Sequence, residues 1–269
     1  CVTGVQTCAL PISKLKTSAD MVMERQTDLK ELIVPSWASF ITGGVDVQQN
    51  CLYWSIRAWG SYITSQNIAH GQALSFQEVE NIMNLAYRTE DGEAIVVSLC
   101  LVDSGYDTDS AYDFCASNSD WAMPVKGSSN PMMSHFKLST INRATSKAHG
   151  MNLVIVDTDK YKDMIASRMK KENGKGAWMV YQGCDREYAE QVTAEHKVNI
   201  KSGSRIIQRW VQKHSHGDNH YLDCSVYEMA AADILGVRTL HLQEEEPAPV
   251  EEVRETPEEN WIGANENWL

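Results

Sequence analysis

From Ile41 to His70 the chain reads ITGGVDVQQNCLYWSIRAWGSYITSQNIAH. Three β-rich segments follow one another here with only a few residues between them. ITGGVDV is short and rich in β-branched residues, QQN supplies a turn, and CLYWSIRAWG alternates bulky and small side chains with the period of two that a strand imposes. SYITSQNIAH continues after Gly60 as a third segment. Connections this short cannot carry the crossover that a parallel pair needs, so the segments must pair antiparallel. The stretch predicts a three-stranded meander whose first strand is interrupted by one acid, Asp46.

Downstream, SFQEVENIMNLAYRT predicts a helix, with Ser75 as N-cap, Glu78 three residues on, and Phe76, Val79, Ile82, Met83 and Leu85 on one face. AIVVSLCLVD is a continuous apolar run, the mark of a central strand buried on both faces, and it ends at Asp103. SAYDFCAS then reads as helix, WAMPVKG and MNLVIVD as strands, TDKYKDMIASRMKKE as helix, AWMVY as strand, DREYAEQVTAEH as helix and RIIQRWVQK as strand. YLDCSVYEMAAADILGVRTL is a long closing helix with Asp223 near its start. A meander, a helix, a buried strand and further alternating elements make an α/β domain. Their order is that of the ribonuclease-H-like fold, a mixed sheet flanked by helices. On this reading residues 14–35 are a linker, 36–243 the domain and 244–269 an acidic disordered tail.

Upstream, CVTGVQTCALPIS has two cysteines, a Gly and a Pro but no period. Val2 to Ser13 can be back-translated, in frame, as a sequencing-library adapter. Residues 1–13 are therefore expected to be an artefact, with the chain starting inside a longer gene, and are excluded from fold reasoning. The stretch lacks the basic start and the longer apolar run of a signal peptide.

Composition narrows the function classes. Roughly 230 residues remain outside the two ends, enough for one sizeable core. There is no run of about 18 apolar residues, so no segment reads as a membrane-spanning helix. Beyond Cys1 and Cys8, the five cysteines stand far apart, mostly in apolar runs, and predict reduced buried thiols of a cytosolic protein. The net charge of −12 argues against a polyanion partner only until it is divided. EEEPAPVEEVRETPEE, residues 244–259, holds eight Glu and one Arg, whereas residues 160–213 hold twelve Lys or Arg against six Asp or Glu. An acidic chain with one basic half can hold nucleic acid there, although a solvated face of mixed charge has the same composition.

Asp46, Asp103 and Asp223 each fall alone at the end of an apolar element. A carboxylate against a core is costly unless something binds it. Three that converged would make a site for hard divalent cations, which take oxygen ligands. Two such ions about 3.5–4 Å apart support phosphodiester hydrolysis by water, with no side-chain nucleophile. Each acid also has a structural reading: a turn residue for Asp46, a strand-end cap for Asp103 and a helix cap for Asp223.

GVDVQQNCLYWSIRAWG, LVDSGYDTDSAYDFC, MPVKG, VDTDKYKDMIASRMK, YAEQVTAEH and NHYLDCSVYEMAAADIL, in this order and spacing, resemble the C-terminal nuclease domain of the lambda-type phage terminase large subunit. The resemblance spans about residues 35–240. It implies a metal-dependent endonuclease of ribonuclease-H-like fold that cuts concatemeric double-stranded phage DNA during genome packaging in the host bacterial cytoplasm. Asp46, Asp103 and Asp223 would then be the catalytic carboxylates, holding two Mg²⁺ or Mn²⁺ ions. Asn50 and Cys51 stand where members of the family often carry a charged residue, and are read as outside the site. The terminase small subunit and the procapsid portal would be partners. Such proteins carry an ATPase ahead of the nuclease, and no GxxxxGK[ST] loop occurs here, so the chain is not expected to hydrolyse ATP. A non-catalytic packaging module that docks on the portal is the alternative from another class, and a transposase-like member of the same fold is the alternative enzyme.

Arg168, Lys170, Lys171, Arg205, Arg209 and Lys213 are candidates for contacts to the DNA backbone, which position a duplex without reading its sequence. Lys126 in MPVKG and His220, three residues before Asp223, are candidates for phosphate contact. Asp157 suits a helix N-cap better than a ligand, and Asp107 and Asp109 suit a solvated loop. His214, His216, His220 and Cys224 in HSHGDNHYLDC have spacings compatible with zinc. Cys224, next to Asp223 in a helix, faces elsewhere, and no second CxxC pair supports that reading. Trp54, Trp59, Trp178 and Trp210 read as core, and the final NWIGANENWL as a segment that could order on a partner.

Overall fold

The Ile41–His70 meander is the middle of an eight-stranded mixed sheet. The structure is a computed structural model and describes residues 17–202, 205–215 and 217–241, so the adapter-like start, the acidic tail and His216 lie outside the described residues. In chain order the elements are α1 (Ala19–Met23), β1 (Ile33–Val34), β2 (Phe40–Val47), β3 (Leu52–Gly60), β4 (Thr64–Ala73), α2 (Phe76–Met83), β5 (Tyr87–Thr89), β6 (Ala94–Ile95), β7 (Val97–Asp103) and α3 (Thr108–Ser117). They continue with β8 (Ala122–Gly127), β9 (Phe136–Thr140), β10 (Asn152–Val156), α4 (Thr158–Met169), β11 (Trp178–Val180), α5 (Arg186–Val192), β12 (Glu195–Ser202), β13 (Arg205–Gln212) and α6 (His220–Ile234).

The large sheet runs β11-β4-β3-β2-β7-β8-β10-β9. β3 is antiparallel to both β2 and β4, as the short turns required, while β7, β8 and β10 continue parallel to β2. A meander whose first strand is flanked on its other side by parallel strands is the ribonuclease-H-like arrangement. β1, β5 and β6 form a small separate sheet, and β12 with β13 forms a two-stranded hairpin.

Alternation along β7 explains why its sequence is apolar from Leu99 to Val102. Leu99 and Leu101 pack into the core beneath α4, α5 and α6, while Cys100 and Val102 pack into a second core with α2 and α3. Helices cover both faces, so neither set can be polar. α2 begins as its sequence required: Ser75 Oγ accepts from Glu78 N at 3.2 Å, and Glu78 Oε2 accepts from Leu74 N at 2.7 Å.

Five sequence readings need correction. The helix read through SFQEVENIMNLAYRT stops at Met83, leaving Leu85 exposed and Tyr87–Thr89 as a strand. Residues 14–35 were expected as a linker, yet Val22 of α1 is fully buried in the core, and Arg25 and Thr27 exchange backbone hydrogen bonds with Val180 of β11. A five-residue helix is too short to show a helical period, so its one buried face was not legible. AIVVSLCLVD is two strands, broken at the exposed Val96. The helix read through DREYAEQVTAEH stops at Val192, and Glu195 and His196 open β12. RIIQRWVQK is therefore half of a hairpin rather than a lone strand, and its Trp210 is half-buried, whereas Trp59 and Trp178 are fully buried as expected.

Candidate active site

β2 and β7 lie parallel with Val45 opposite Val102, which sets the next residues, Asp46 and Asp103, side by side at the same ends of neighbouring strands. Val45 and Val47 pack into the core under α2 and α3, so Thr42, Gly44 and Asp46 face α6. Helix α6 lies directly on that face. A Cβ at Gly44 would stand 2.2 Å from the Cys224 carbonyl oxygen, so only glycine allows this approach. The contact brings Asp223, one residue earlier, over the strand end that carries Asp46.

Buried polar bonds hold α6 there. Thr42 Oγ1 donates to Glu228 O at 3.0 Å, and Arg57 Nε pairs with Glu228 Oε2 at 3.1 Å with both side chains fully buried. Arg57 also donates to Met179 O and Tyr188 Oη and lies 4.1 Å from the centre of the Trp178 ring. A buried pair with this many satisfied donors anchors a helix more specifically than apolar contact alone.

Each acid has protein donors. Asp46 Oδ2 accepts from Gln48 Nε2 at 2.9 Å and lies 2.8 Å from His220 Nδ1, whose ring stacks on Tyr53 at 4.2 Å. The bond to Asp46 raises the His220 pKa above its ordinary value, against the effect of burial. Asp103 Oδ1 accepts from Tyr227 Oη at 3.3 Å and from Gly105 N at 3.2 Å. Burial, and then the charge of Asp46, nevertheless push the Asp103 pKa up to about 6. Asp223 Oδ2 accepts from Asn219 Nδ2 at 3.1 Å, and its Oδ1 lies 3.5 Å from Lys162 Nζ. Burial pushes this acid to about 6 as well; Lys162 opposes the rise, and Asp46 and Glu195 add to it. Lys162 is itself buried, which disfavours its charge, but Asp223 and Glu195 outweigh burial and hold its pKa above the usual lysine value.

The charge of Asp46 thus raises both Asp103 and Asp223 at one end of the sheet, so the anionic form of each is disfavoured there. Among the described residues, no three His, Cys, Asp or Glu side chains are gathered closely enough to hold a metal ion as placed. Each carboxylate is instead turned to its own donor. The donor chemistry, carboxylate oxygens with excess negative charge, fits a hard divalent cation, and the His and Cys of the zinc alternative are not assembled into one among the described residues.

The other sequence candidates divide by position. His220 joins the cluster. Exposed Lys126 is the next-to-last residue of β8, where Val125 lies opposite Asp103, so it stands near the same sheet end. Arg209, on the hairpin, lies 3.8 Å from Asp159 at the start of α4. Lys213 donates to the carbonyls of Thr17 and Thr193 and so ties down backbone. Arg168, Lys170 and Lys171 lie at the far end of α4, by Gly176 and the β3–β4 turn, which is the opposite end of the sheet from the acids. They do not assemble with the carboxylates, because α4 runs back along the sheet after β10. Arg205 opens β13, and its side chain lies outside the described residues. Asp157 and Asp107 are helix N-caps, accepting from Lys160 N and Ser110 N, and Asp109 pairs with Arg143.

Lys162, Glu195, Asn219 and Tyr227 belong to the cluster but were not read from the sequence. Tyr227 sits four residues after Asp223 and so shares its helix face, a signal that could have been used. Lys162 had one too, since it lies among the buried Tyr161, Ile165, Ala166 and Met169 of α4.

The profile of the family described as terminase large subunit gpA, endonuclease domain, matches residues 9–244. No curated protein matches the chain. Among solved structures, the large terminase nuclease from thermophilic phage G20c with bound magnesium is 11% identical, with a TM-score of 0.46 over 82% of this chain and 98% of that one. The same nuclease with bound cobalt is also 11% identical, with a TM-score of 0.44 over 79% and 96%.

Proposed function

Since the chain belongs to the family of terminase large-subunit gpA endonuclease domains, we propose that it hydrolyses phosphodiester bonds of concatemeric double-stranded phage DNA at Asp46, Asp103 and Asp223. The observation that carries the reading is the placement of these acids on one sheet end, with Asp103 and Asp223 both pushed to about 6 by burial and by the charge of Asp46. Side chains so destabilised as anions gain most from a cation.

Two Mg²⁺ or Mn²⁺ ions, held by the three carboxylates, would supply charge neutralisation and a water activated for in-line attack. The residues of the chain then have distinct tasks. Asp46 and Asp103 are set by the parallel register of β2 and β7, and Asp223 by the seating of α6 on Gly44. His220, oriented by Asp46 and by stacking on Tyr53, would contact phosphate. Lys126 and Arg209 would position the duplex backbone. The terminase small subunit and the procapsid portal are the partners proposed for the packaging reaction, in the cytoplasm of the bacterial host. Among the described residues, no helix is long and apolar enough to cross a membrane.

Nicking of supercoiled plasmid in Mg²⁺, Mn²⁺ or EDTA tests this. Cutting should require the divalent ion, and Asp103→Ala should lower it by about a thousandfold or more, the several kcal/mol that a lost charge-stabilising site represents. Metal-independent cutting, or cutting that survives the substitution, would remove the site.

A further inference from the structure

The acid in the cluster with the most elaborate support is Asp223, and that support comes from parts of the chain far apart in sequence. Lys162 of α4 is nearly buried; its Nζ donates to Glu195 Oε1 at 2.7 Å and lies 3.5 Å from Asp223 Oδ1. Glu195, also nearly buried, opens β12, and the same Oε1 accepts from Asn219 Nδ2 at 2.9 Å. Asn219 Nδ2 in turn reaches Asp223 Oδ2 at 3.1 Å. The four side chains close a ring in which each oxygen of Asp223 faces a different fixed neighbour. Glu195 is its hub, because it holds both the lysine and the amide.

A buried ammonium needs a counter-ion, and Glu195 at hydrogen-bond distance already provides one. Asp223 adds a second negative charge beside the one that Glu195 supplies at hydrogen-bond distance. At 3.5 Å the approach to Asp223 is longer than a good hydrogen bond, so it acts through charge. The ammonium is anchored by Glu195 and aimed at Asp223.

We propose that Lys162, anchored by Glu195, is a positioning residue that orients Asp223 and sets how tightly the carboxylate cluster binds a divalent cation. This rests on the reading above that the cluster takes such a cation. Lys162 limits affinity, because its positive charge competes for Asp223, while it holds the carboxylate in one orientation. Glu195 has the opposite influence: it draws the ammonium toward itself and leaves Asp223 more of its charge.

The test is Mn²⁺ binding by calorimetry to the whole chain and to Lys162→Met, Glu195→Gln and Lys197→Met, with plasmid nicking measured in parallel. Lys197 pairs with Asp163 at 2.5 Å and serves as a control for charge removed elsewhere on β12. Lys162→Met should bind Mn²⁺ about five- to tenfold more tightly and Glu195→Gln about fivefold more weakly, with Lys197→Met within about twofold of the parent, as expected for a unit charge a few ångströms away in a partly buried site. Lys162→Met should also lower kcat with KM for DNA unchanged, since Asp223 loses its orientation but DNA contacts remain. A merely structural ion pair would weaken binding in both variants. Shifts of the same sign, or none, overturn the proposal. If Lys162→Met fails to fold, an unchanged Mn²⁺ affinity in Glu195→Gln overturns it alone. Absence of Mn²⁺ binding by the parent chain would instead overturn the metal site itself.

Discussion

Asp223 and Glu228 stand five residues apart on helix α6, in contrasting surroundings. Glu228 faces Arg57 across 3.1 Å in the fully buried centre of the molecule, where the remaining guanidinium donors reach Met179 O, Ser65 Oγ and Tyr188 Oη. Asp223, nearer the helix start, stands at the rim beside Asp46, and its nearest cation is a lysine 3.5 Å away that is shared with Glu195. The inner charge is paired within the chain through Oε2 and holds the helix on the sheet. The outer charge is answered only in part, which is what the proposed cation site requires. One helix thus separates a structural charge from the one proposed as functional by little more than one turn.

The comparison is most exposed to failure at the inner pair. Arg57→Met leaves Glu228 buried without its partner and should destabilise the fold by about 3–5 kcal/mol, as for other broken buried pairs. Asp223→Asn should leave stability unchanged or raise it, because it removes a charge that its surroundings oppose. Urea unfolding of the two variants measures the contrast, and equal losses would break it.

Gly44→Ala comes next. Its Cβ meets backbone, not a flexible side chain, so α6 must shift. A cost of about 1–3 kcal/mol is expected, with reduced Mn²⁺ affinity because Asp223 moves with the helix. Unchanged affinity at lowered stability would show that the seating of α6 does not position the site.

The pH dependence of stability sharpens the outer half. Asp103 and Asp223 have folded pKa values of about 6, above the ordinary carboxylate range, so the folded chain holds protons that the unfolded chain has released. Their contribution favours folding at low pH and is lost as pH rises from about 4 through 6. In EDTA, the melting temperature should therefore gain less, or fall by about 5 °C, between pH 5 and pH 7.5 relative to Asp103→Asn, and added Mg²⁺ should recover the difference. The smallest effect is expected from Tyr227→Phe. Removing the hydroxyl that donates to Asp103 should move the pH midpoint of cleavage upward with little loss of stability, a shift readable in a pH–rate profile.

Much of this organisation was legible before any coordinates. The meander followed from turn lengths alone, since QQN and SY leave no room for a crossover. The double-faced burial of β7 followed from its continuous apolar run, and the capping of α2 and α4 from Ser75 and Asp157. The three aspartates were legible because a lone carboxylate in an apolar context is costly without a purpose. Other readings failed where length or distance defeated periodicity. α1 is too short for a period, and β12 resembled the end of α5 because its pairing partner β13 lies beyond it.

By itself the sequence determined most of the elements, their alternation and which acids stand at their ends, because local propensity and periodicity act over a few residues. Tertiary structure alone decided which charges meet. Lys162, Glu195 and Asp223 come from three separate elements, and no spacing rule joins them. Arg168, Lys170 and Lys171 belong to the same basic segment as Lys162 but end at the far side of the sheet, because α4 reverses direction after β10. Charge acts through space over a few ångströms, so it is the packing of α6 on Gly44, and not the order of residues, that brings Asp223 to Asp46.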